Sequence, residues 1–515
     1  NIYETNDIDE QELKLIAEEY DFSFEKLIKF IKQFNHAKAI GSLLKIEEFD
    51  EFFLNDVLIK IESGHENLFN YHMKDELIGV LKQLIKQVKV MTAKYDVTVT
   101  NPPYAGNKYL PSELTQYLDK EYPNTKSDIF SAFIEYTFEL TKESGQMGYL
   151  TPFVWMFIST YEKLRETIIQ SKNISSLVQL EYNGFEAAMV PVCMFTLRNY
   201  KVDKKGEYIR LESFKGIDNQ YIKTLEAVKN PNSDYRYSFN QNQLNLIPGK
   251  PIAYWASDNV VNAFKNSEIL SNIGFSKKGL DTGKNDLYLR HWFEVSKDKI
   301  NKKWFPLNKG GSYRKWYGNQ NYLIDWENNG EKLKSLKSAN IRNERFYFKE
   351  SIGWSDLTSG DFGARYYPDG FIFEATGPSF FCKNIMETLG YMNSNVFNYF
   401  AKFTMSTMHY TNGSVAKMPY KKLQVDIEKI VEENVEISKD DWDSFENSMD
   451  FIVHPFLKYS NNLLEDTYLE WEKYKEHQYH KLKVNEEFLN EVFIELYNLN
   501  GELSPIVDEK KIVIK

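Results

Sequence analysis

The stretch "VTVTNPPYAGNKYL", Val97–Leu110, decides how the rest of the chain is read. Its first four residues are a β-branched run of the kind that fills a strand. Asn101-Pro102-Pro103-Tyr104 follows at once. Pro102 pushes Asn101 toward an extended conformation. Both prolines fix their own φ and lack an N–H. The result is a rigid turn that offers acceptors only: the Asn101 side-chain oxygen and the Pro102 carbonyl. Two acceptors on one frame suit an exocyclic amino group with two N–H donors, and adenine N6 is such a group. Its lone pair is delocalised into the ring. Drawing on both N–H bonds shifts the nitrogen toward tetrahedral geometry and frees that pair to attack a methyl group. Tyr104 can stack on the base, an interaction worth about 1–3 kcal/mol, comparable with the cost of unstacking a base from a duplex. Taken alone, the same four residues would also serve as a simple turn after a strand.

The flanking sequence favours the chemical reading. Upstream, residues 1–90 carry apolar positions at three- and four-residue spacing and predict helices. Downstream, "DIFSAFIEYTFELTKES" predicts a helix with Asp128 near its start and Gly145 just past its end. A strand ("MGYLTPFVW"), a helix ("TYEKLRETIIQS") and two more strands ("ISSLVQLEY", "VPVCMFTLRN") follow. This alternation predicts an α/β domain with a mostly parallel sheet. Around 200–250 the sequence turns polar and loop-like. Residues 250–420 mix short strands, glycine turns and tryptophans. After about 421 the chain is again helical and charged.

Composition narrows the class. Hydrophobic residues make up 42% of the 515 and aromatics 15%, enough for several buried cores. The two cysteines, Cys193 and Cys382, sit in apolar stretches, which argues against a disulfide framework and for a reducing cytoplasm. Apolar runs reach only about a dozen residues, short of the about 18 that a membrane span needs. The net charge of −11 speaks against nucleic acid at first, but Ser271–Glu350 holds 17 Lys+Arg against 9 Asp+Glu. That window is basic inside an acidic chain, as a local DNA-contacting surface would be, although a solvated lysine-rich face would give the same count. His477 and His480, three apart on a predicted charged helix, read as surface residues and not as metal ligands.

The Asn-Pro-Pro-Tyr stretch resembles motif IV of amino-group DNA methyltransferases. "LDTGKNDLYLRHWFEV", "KWFPLNKGGSYRKWYGNQNYLIDWENNG", "FEATGPSFF", "HYTNGSVAKMPY" and "NEEFLNEVFIELYNLNGELSP" resemble the PglX family, adenine-specific methyltransferases of BREX phage-defence systems, with parts shared by single-chain type II restriction–methylation enzymes. The resemblance covers nearly the whole chain. It implies an incomplete Rossmann-like methyltransferase sheet with a helical N-terminal segment (1–205), a linker (206–250), a mixed α/β target-recognition domain (251–420) and a helical C-terminal segment (421–515). It implies catalytic roles for Asn101, Pro102 and Tyr104, and a second ring, Phe185, on the flipped base. Pro103 would lie beside S-adenosyl-L-methionine. The basic, Trp-rich block would hold double-stranded DNA through Lys302, Lys303, Lys309, Arg314, Lys315 and Trp316. Other defence-system proteins are further expected partners. One feature departs from the family. No Gly-rich cofactor turn precedes Asn101, since the first 100 residues hold only the isolated Gly41, Gly64 and Gly79, and "NDIDE" (Asn6–Glu10) follows no strand. The chain therefore reads as an internal fragment, inactive alone. Two alternatives stay open: a non-catalytic DNA- or partner-binding scaffold, and an RNA or protein amino-group methyltransferase.

Overall fold

The computed structural model describes residues 2–6, 8–64, 71–182, 190–358, 360–405, 409–459 and 463–514. The chain divides into two units, one of residues 1–245 with 250–255, the other of residues 246–249 with 256–515. Among the described residues no helix is long and apolar enough to cross a membrane.

The first unit opens with the helices that the spacing predicts: α1 (Glu10–Glu19), α2 (Phe24–Lys32), α3 (Ala37–Ile40), α4 (Glu51–Ser63) and α5 (Tyr71–Thr92). Short polar side chains start three of them. Asp9, Ser23 and Asp50 each accept from a backbone N–H of the first turn of α1, α2 and α4. Asp9 lies inside "NDIDE", so this acidic stretch acts as a helix cap. Leu13, Leu27, Phe30, Leu54, Leu81 and Val88 close a common core beneath these helices.

The sheet begins at β1 (Tyr95–Thr100). After it come α6 (Ser112–Glu121), α7 (Ile129–Leu140), β2 (Thr141–Pro152), α8 (Glu162–Ser171), β3 (Asn173–Gln179) and β4 (Val192–Arg198). Strand order is β1-β2-β4-β3, followed by β5 (Gly206–Arg210) and β6 (Arg236–Phe239). β1, α7 and β2 form a parallel strand–helix–strand unit, as expected. The sheet is mixed and not mostly parallel, because β4 runs antiparallel between β2 and β3. Gly145 is also not a helix end. It lies within β2, where a Cβ would stand 2.7 Å from the Asp96 carbonyl of β1.

Residues 206–250, expected as a linker, instead complete this sheet. They supply β5 (Gly206–Arg210), α9 (Ile217–Lys229) and β6 (Arg236–Phe239). The polar composition hid two short strands whose inward residues are aromatic: Tyr208 is buried and stacks on Tyr254 at 4.6 Å. Gly206 is required here, since a Cβ would meet the Ile174 carbonyl at 2.4 Å. One sheet face is buried around Met147, Tyr149, Phe195, Leu197 and Trp155. The other is covered only in part, through Leu180, Ile209, Leu211 and Ala227. Among the described residues β1 is an edge strand, and its Val97 and Val99 are exposed.

The second unit holds two four-stranded sheets. One orders Ile372–Phe373, Trp304–Asn308, Tyr322–Asp325 and Leu289–His291; the other orders Ala364–Tyr367, Ser351–Trp354, Ser379–Cys382 and Gly274–Lys277. No boundary separates them from the C-terminal helices expected after 421. Glu428–Asp443 and Leu464–Leu496 pack on Ile385–Asn393 and belong to the same unit. Two buried carboxylates tie them to the β-rich part. Glu486 accepts from Lys315 Nζ at 2.8 Å and from Trp316 Nε1 at 2.7 Å. Asp441 accepts from Lys475 Nζ at 2.7 Å, with Arg314 at 3.5 Å. Trp316 has φ +66°, a left-handed backbone rare for a bulky side chain, which such surroundings hold in place.

Removing one partner of a buried pair strands the other charge. Glu486→Ala should lower stability by about 3–5 kcal/mol, read as a lower denaturant midpoint. Lys302→Ala, on the surface, should stay within about 0.5 kcal/mol of the parent. Equal midpoints for the two variants would show that the Glu486 cluster contributes nothing.

Candidate functional site

Asn101 leaves the end of β1 with its side chain exposed, Pro102 is buried and Pro103 is exposed. Tyr104 is 36% exposed, and its ring meets the edge of Phe130 at 6.5 Å. Phe130 leans in turn on Tyr161 at 5.5 Å. The aromatic face is thus held from behind while its front stays open. Among the described residues no intramolecular hydrogen bond reaches the Pro102 carbonyl.

The Tyr104 hydroxyl has a role that the sequence did not reveal. It donates to Asn101 Oδ1 at 2.8 Å and lies 3.1 Å from the Leu150 carbonyl. Burial raises the Tyr104 pKa, with a smaller push from Cys193, so the hydroxyl stays protonated and remains a donor. Asn101 Oδ1 therefore already carries a donor, and the Leu150 carbonyl offers the same hydroxyl a second acceptor.

The exit of the loop is fixed by Asp128. Its Oδ1 accepts from Ala105 N at 3.1 Å and from Phe130 N at 3.2 Å, so one oxygen caps α7 and anchors the residue after Tyr104. Ile129 N returns a bond to the Ala105 carbonyl at 3.1 Å, and Asn107 N one to the Ser127 carbonyl at 3.0 Å. Burial raises the Asp128 pKa, and bonds from Phe130, Ala105 and Ile129 oppose that rise. The sequence marked Asp128 as a helix start. Its second bond spans 23 residues and left no local signal.

The other expected site residues are scattered. Phe185 lies outside the described residues. Lys302 is exposed on a turn. Lys303 faces Asp325 at 3.5 Å and Glu327 at 3.8 Å. Lys309 is paired with Glu374 at 2.8 Å, and Arg314 with Asp441 at 3.5 Å. Lys315 and Trp316 are buried against Glu486. Burial leaves Lys315 and Trp316 no surface for a duplex, and ion pairs engage Lys303, Lys309 and Arg314. Four of these cations were counted as free because their carboxylates stand far along the chain.

Residues 3–185 match the family model described as Eco57I restriction-modification methylase. The chain is 35% identical over 519 residues to the adenine-specific methyltransferase PglX of Lacticaseibacillus casei (strain Zhang), covering 94% of this chain and 43% of that protein. The chain is similar to PglX over nearly all of its own length. It is also 32% identical over 496 residues to the adenine-specific methyltransferase BrxX of Escherichia coli O9:H4 (strain HS), covering 93% of this chain and 40% of the relative. It thus spans less than half the length of PglX or BrxX. Among solved structures, the Type IIL restriction–modification enzyme MmeI in complex with DNA aligns at a TM-score of 0.44 and 11% identity, over 96% of this chain and 77% of that one.

Asp128→Ala should free the Ala105 and Phe130 amides, speeding their hydrogen exchange and costing about 0.5–2 kcal/mol, as lost N-caps do. Asp128→Asn keeps an acceptor oxygen and should restore much of the protection. Unchanged exchange at Ala105 in the alanine variant would remove Asp128 from the support of the loop.

Proposed function

We propose that this chain forms the target-amine side of an adenine-N6 DNA methyltransferase of the kind found in phage-defence and restriction–modification systems. The observation that carries the reading is the rigid turn at the end of β1. There the Asn101 side-chain oxygen and the Pro102 carbonyl stand beside the partly exposed Tyr104 ring. The names of PglX and BrxX as adenine-specific methyltransferases support it. An adenine turned out of its duplex brings two N6–H donors to the two acceptors. The Tyr104 hydroxyl then turns to the Leu150 carbonyl, and the ring, backed by Phe130, stacks on the base. Engaging both N–H bonds localises the N6 lone pair.

S-adenosyl-L-methionine would supply the methyl group. The described residues do not fit it by themselves. The regular elements before β1 are all helical, Gly79 lies within α5, and no glycine turn follows a strand there. Pro103 is exposed on the side proposed to face the donor. Amine activation is accordingly the only step assigned to this chain. The exposed edge of β1, with Val97 and Val99, is where further strands of a cofactor-binding half would add.

In a longer protein that contains this chain and methylates adenine, Asn101→Ala should abolish transfer while duplex affinity changes little. Tyr104→Ala should weaken capture of the extrahelical base by about 1–3 kcal/mol, measured by fluorescence of 2-aminopurine at the target position. Wild-type methylation by Asn101→Ala would overturn the assignment. The isolated 515-residue chain should bind S-adenosyl-L-methionine no tighter than the millimolar range in calorimetry, about −4 kcal/mol. A micromolar dissociation constant would place a cofactor site among the helices that precede β1.

A further inference from the structure

We propose that a second copy of this chain packs against α9 (Ile217–Lys229), the two helices running antiparallel about a two-fold axis. The inference is independent of the methyltransferase reading. α9 is built inside out. The residues it buries are Gln220 and Ala227, one polar and one small. Ile217, Tyr221, Ile222, Leu225 and Val228 face water, each between 40% and 71% exposed. A surface helix of a lone domain turns its large apolar residues the other way. Polar bonds hold the inner face. Gln220 Oε1 accepts from Glu181 N at 3.1 Å, and Gln220 Nε2 donates to the Phe214 carbonyl. Gly216 N donates to Glu181 Oε1 at 2.7 Å, and Arg236 Nη1 donates to the Ala227 carbonyl at 2.8 Å. The helix is thus fixed to the sheet at both ends without its apolar stripe.

The order of residues along the stripe points to the occupant. Ile217, Tyr221, Leu225 and Val228 follow at spacings of four, four and three, which put them on one side of the helix. Turned end for end, the same series opposes Ile217 to Val228 of the second copy and Tyr221 to its Leu225. Asp218 in the first turn and Lys229 in the last lie at the same edge of the stripe. An antiparallel pair therefore sets Asp218 of each copy against Lys229 of the other, whereas a parallel pair sets like against like. Both side chains are exposed, and neither forms an ion pair with a described residue. The other two charged residues of α9, Lys223 and Glu226, pair with each other at 2.6 Å. The stripe exposes roughly 500 Å² per copy, so two copies remove about 1,000 Å², the lower bound for a specific interface. A two-fold axis makes each contact occur twice.

The test is sedimentation velocity of this chain over a concentration series. The parent chain should form a dimer with a dissociation constant of about 10 μM or tighter. The double variant Tyr221→Glu, Leu225→Glu should stay monomeric at every concentration. Asp218→Lys and Lys229→Asp should each weaken association about tenfold, because each sets like charges together at two places. The two exchanges combined should restore association to within about threefold of the parent. Unchanged circular dichroism and melting establish that the variants are folded. A parent chain that remains monomeric at about 100 μM overturns the proposal and leaves the apolar face to a different partner. A dimer that persists in the Tyr221→Glu, Leu225→Glu variant uses another surface and overturns it too. Combined exchanges that associate no better than the single ones overturn the antiparallel pairing. Each of these results leaves the methyltransferase reading of the Asn101 turn intact.

Discussion

One carboxylate oxygen, Asp128 Oδ1, organises the site. It accepts from the first turn of α7 and from the residue after Tyr104, so a helix that packs behind β1 and β2 also sets where the Asn-Pro-Pro-Tyr turn ends. The prolines make the turn stiff, but stiffness alone does not aim it. Aim comes from β1 at one end and Asp128 at the other. Phe130, two residues along α7, sets the tilt of the Tyr104 ring. The turn and the Tyr104 ring are therefore held on one frame. The hydrogen bond between Tyr104 and Asn101 adds a local donor that keeps the amide oxygen satisfied.

The second unit uses charge differently. Its basic sequence window divides into cations turned inward and cations left in water. Lys315 and Arg314 meet Glu486 and Asp441, carboxylates that are almost wholly buried. Trp316, Trp326 and Trp354 are likewise buried and act as core residues. Such a centre holds the segment through Trp316 in a backbone conformation that it would not choose by itself.

What was legible in the sequence was local. The Asn-Pro-Pro-Tyr turn, the helices before β1 and the start of α7 at Asp128 all rest on neighbours within a few residues. What was not legible depends on distant partners. The carboxylate of Lys309 is 65 residues away and that of Lys315 is 171, so counting charges in a window could not separate buried pairs from free cations. The strands within 206–250 were missed because they are short and their neighbours polar. Their identity as strands comes from the pairing of β5 with β3 and of β6 with β5, and from the Tyr208–Tyr254 stack. At the candidate site the residue types were visible, whereas the hydroxyl that covers Asn101 was not, because Tyr104 reaches Asn101 and Leu150 only once the strands are assembled.

The ties to Glu486 and Asp441 bear on how much of the second unit could be exchanged between relatives in one piece. A graft that replaced residues 256–420 alone with the equivalent block of a relative would leave Glu486 buried on the C-terminal helices, facing whatever side chains the new block supplied, while Asp441 would lose Arg314 and keep Lys475. An unmatched buried carboxylate destabilises by several kcal/mol, so most such chimaeras would fail before any recognition could be read out. The interchangeable module is therefore longer than the β-rich part. It includes Glu428–Asp443 and Leu464–Leu496.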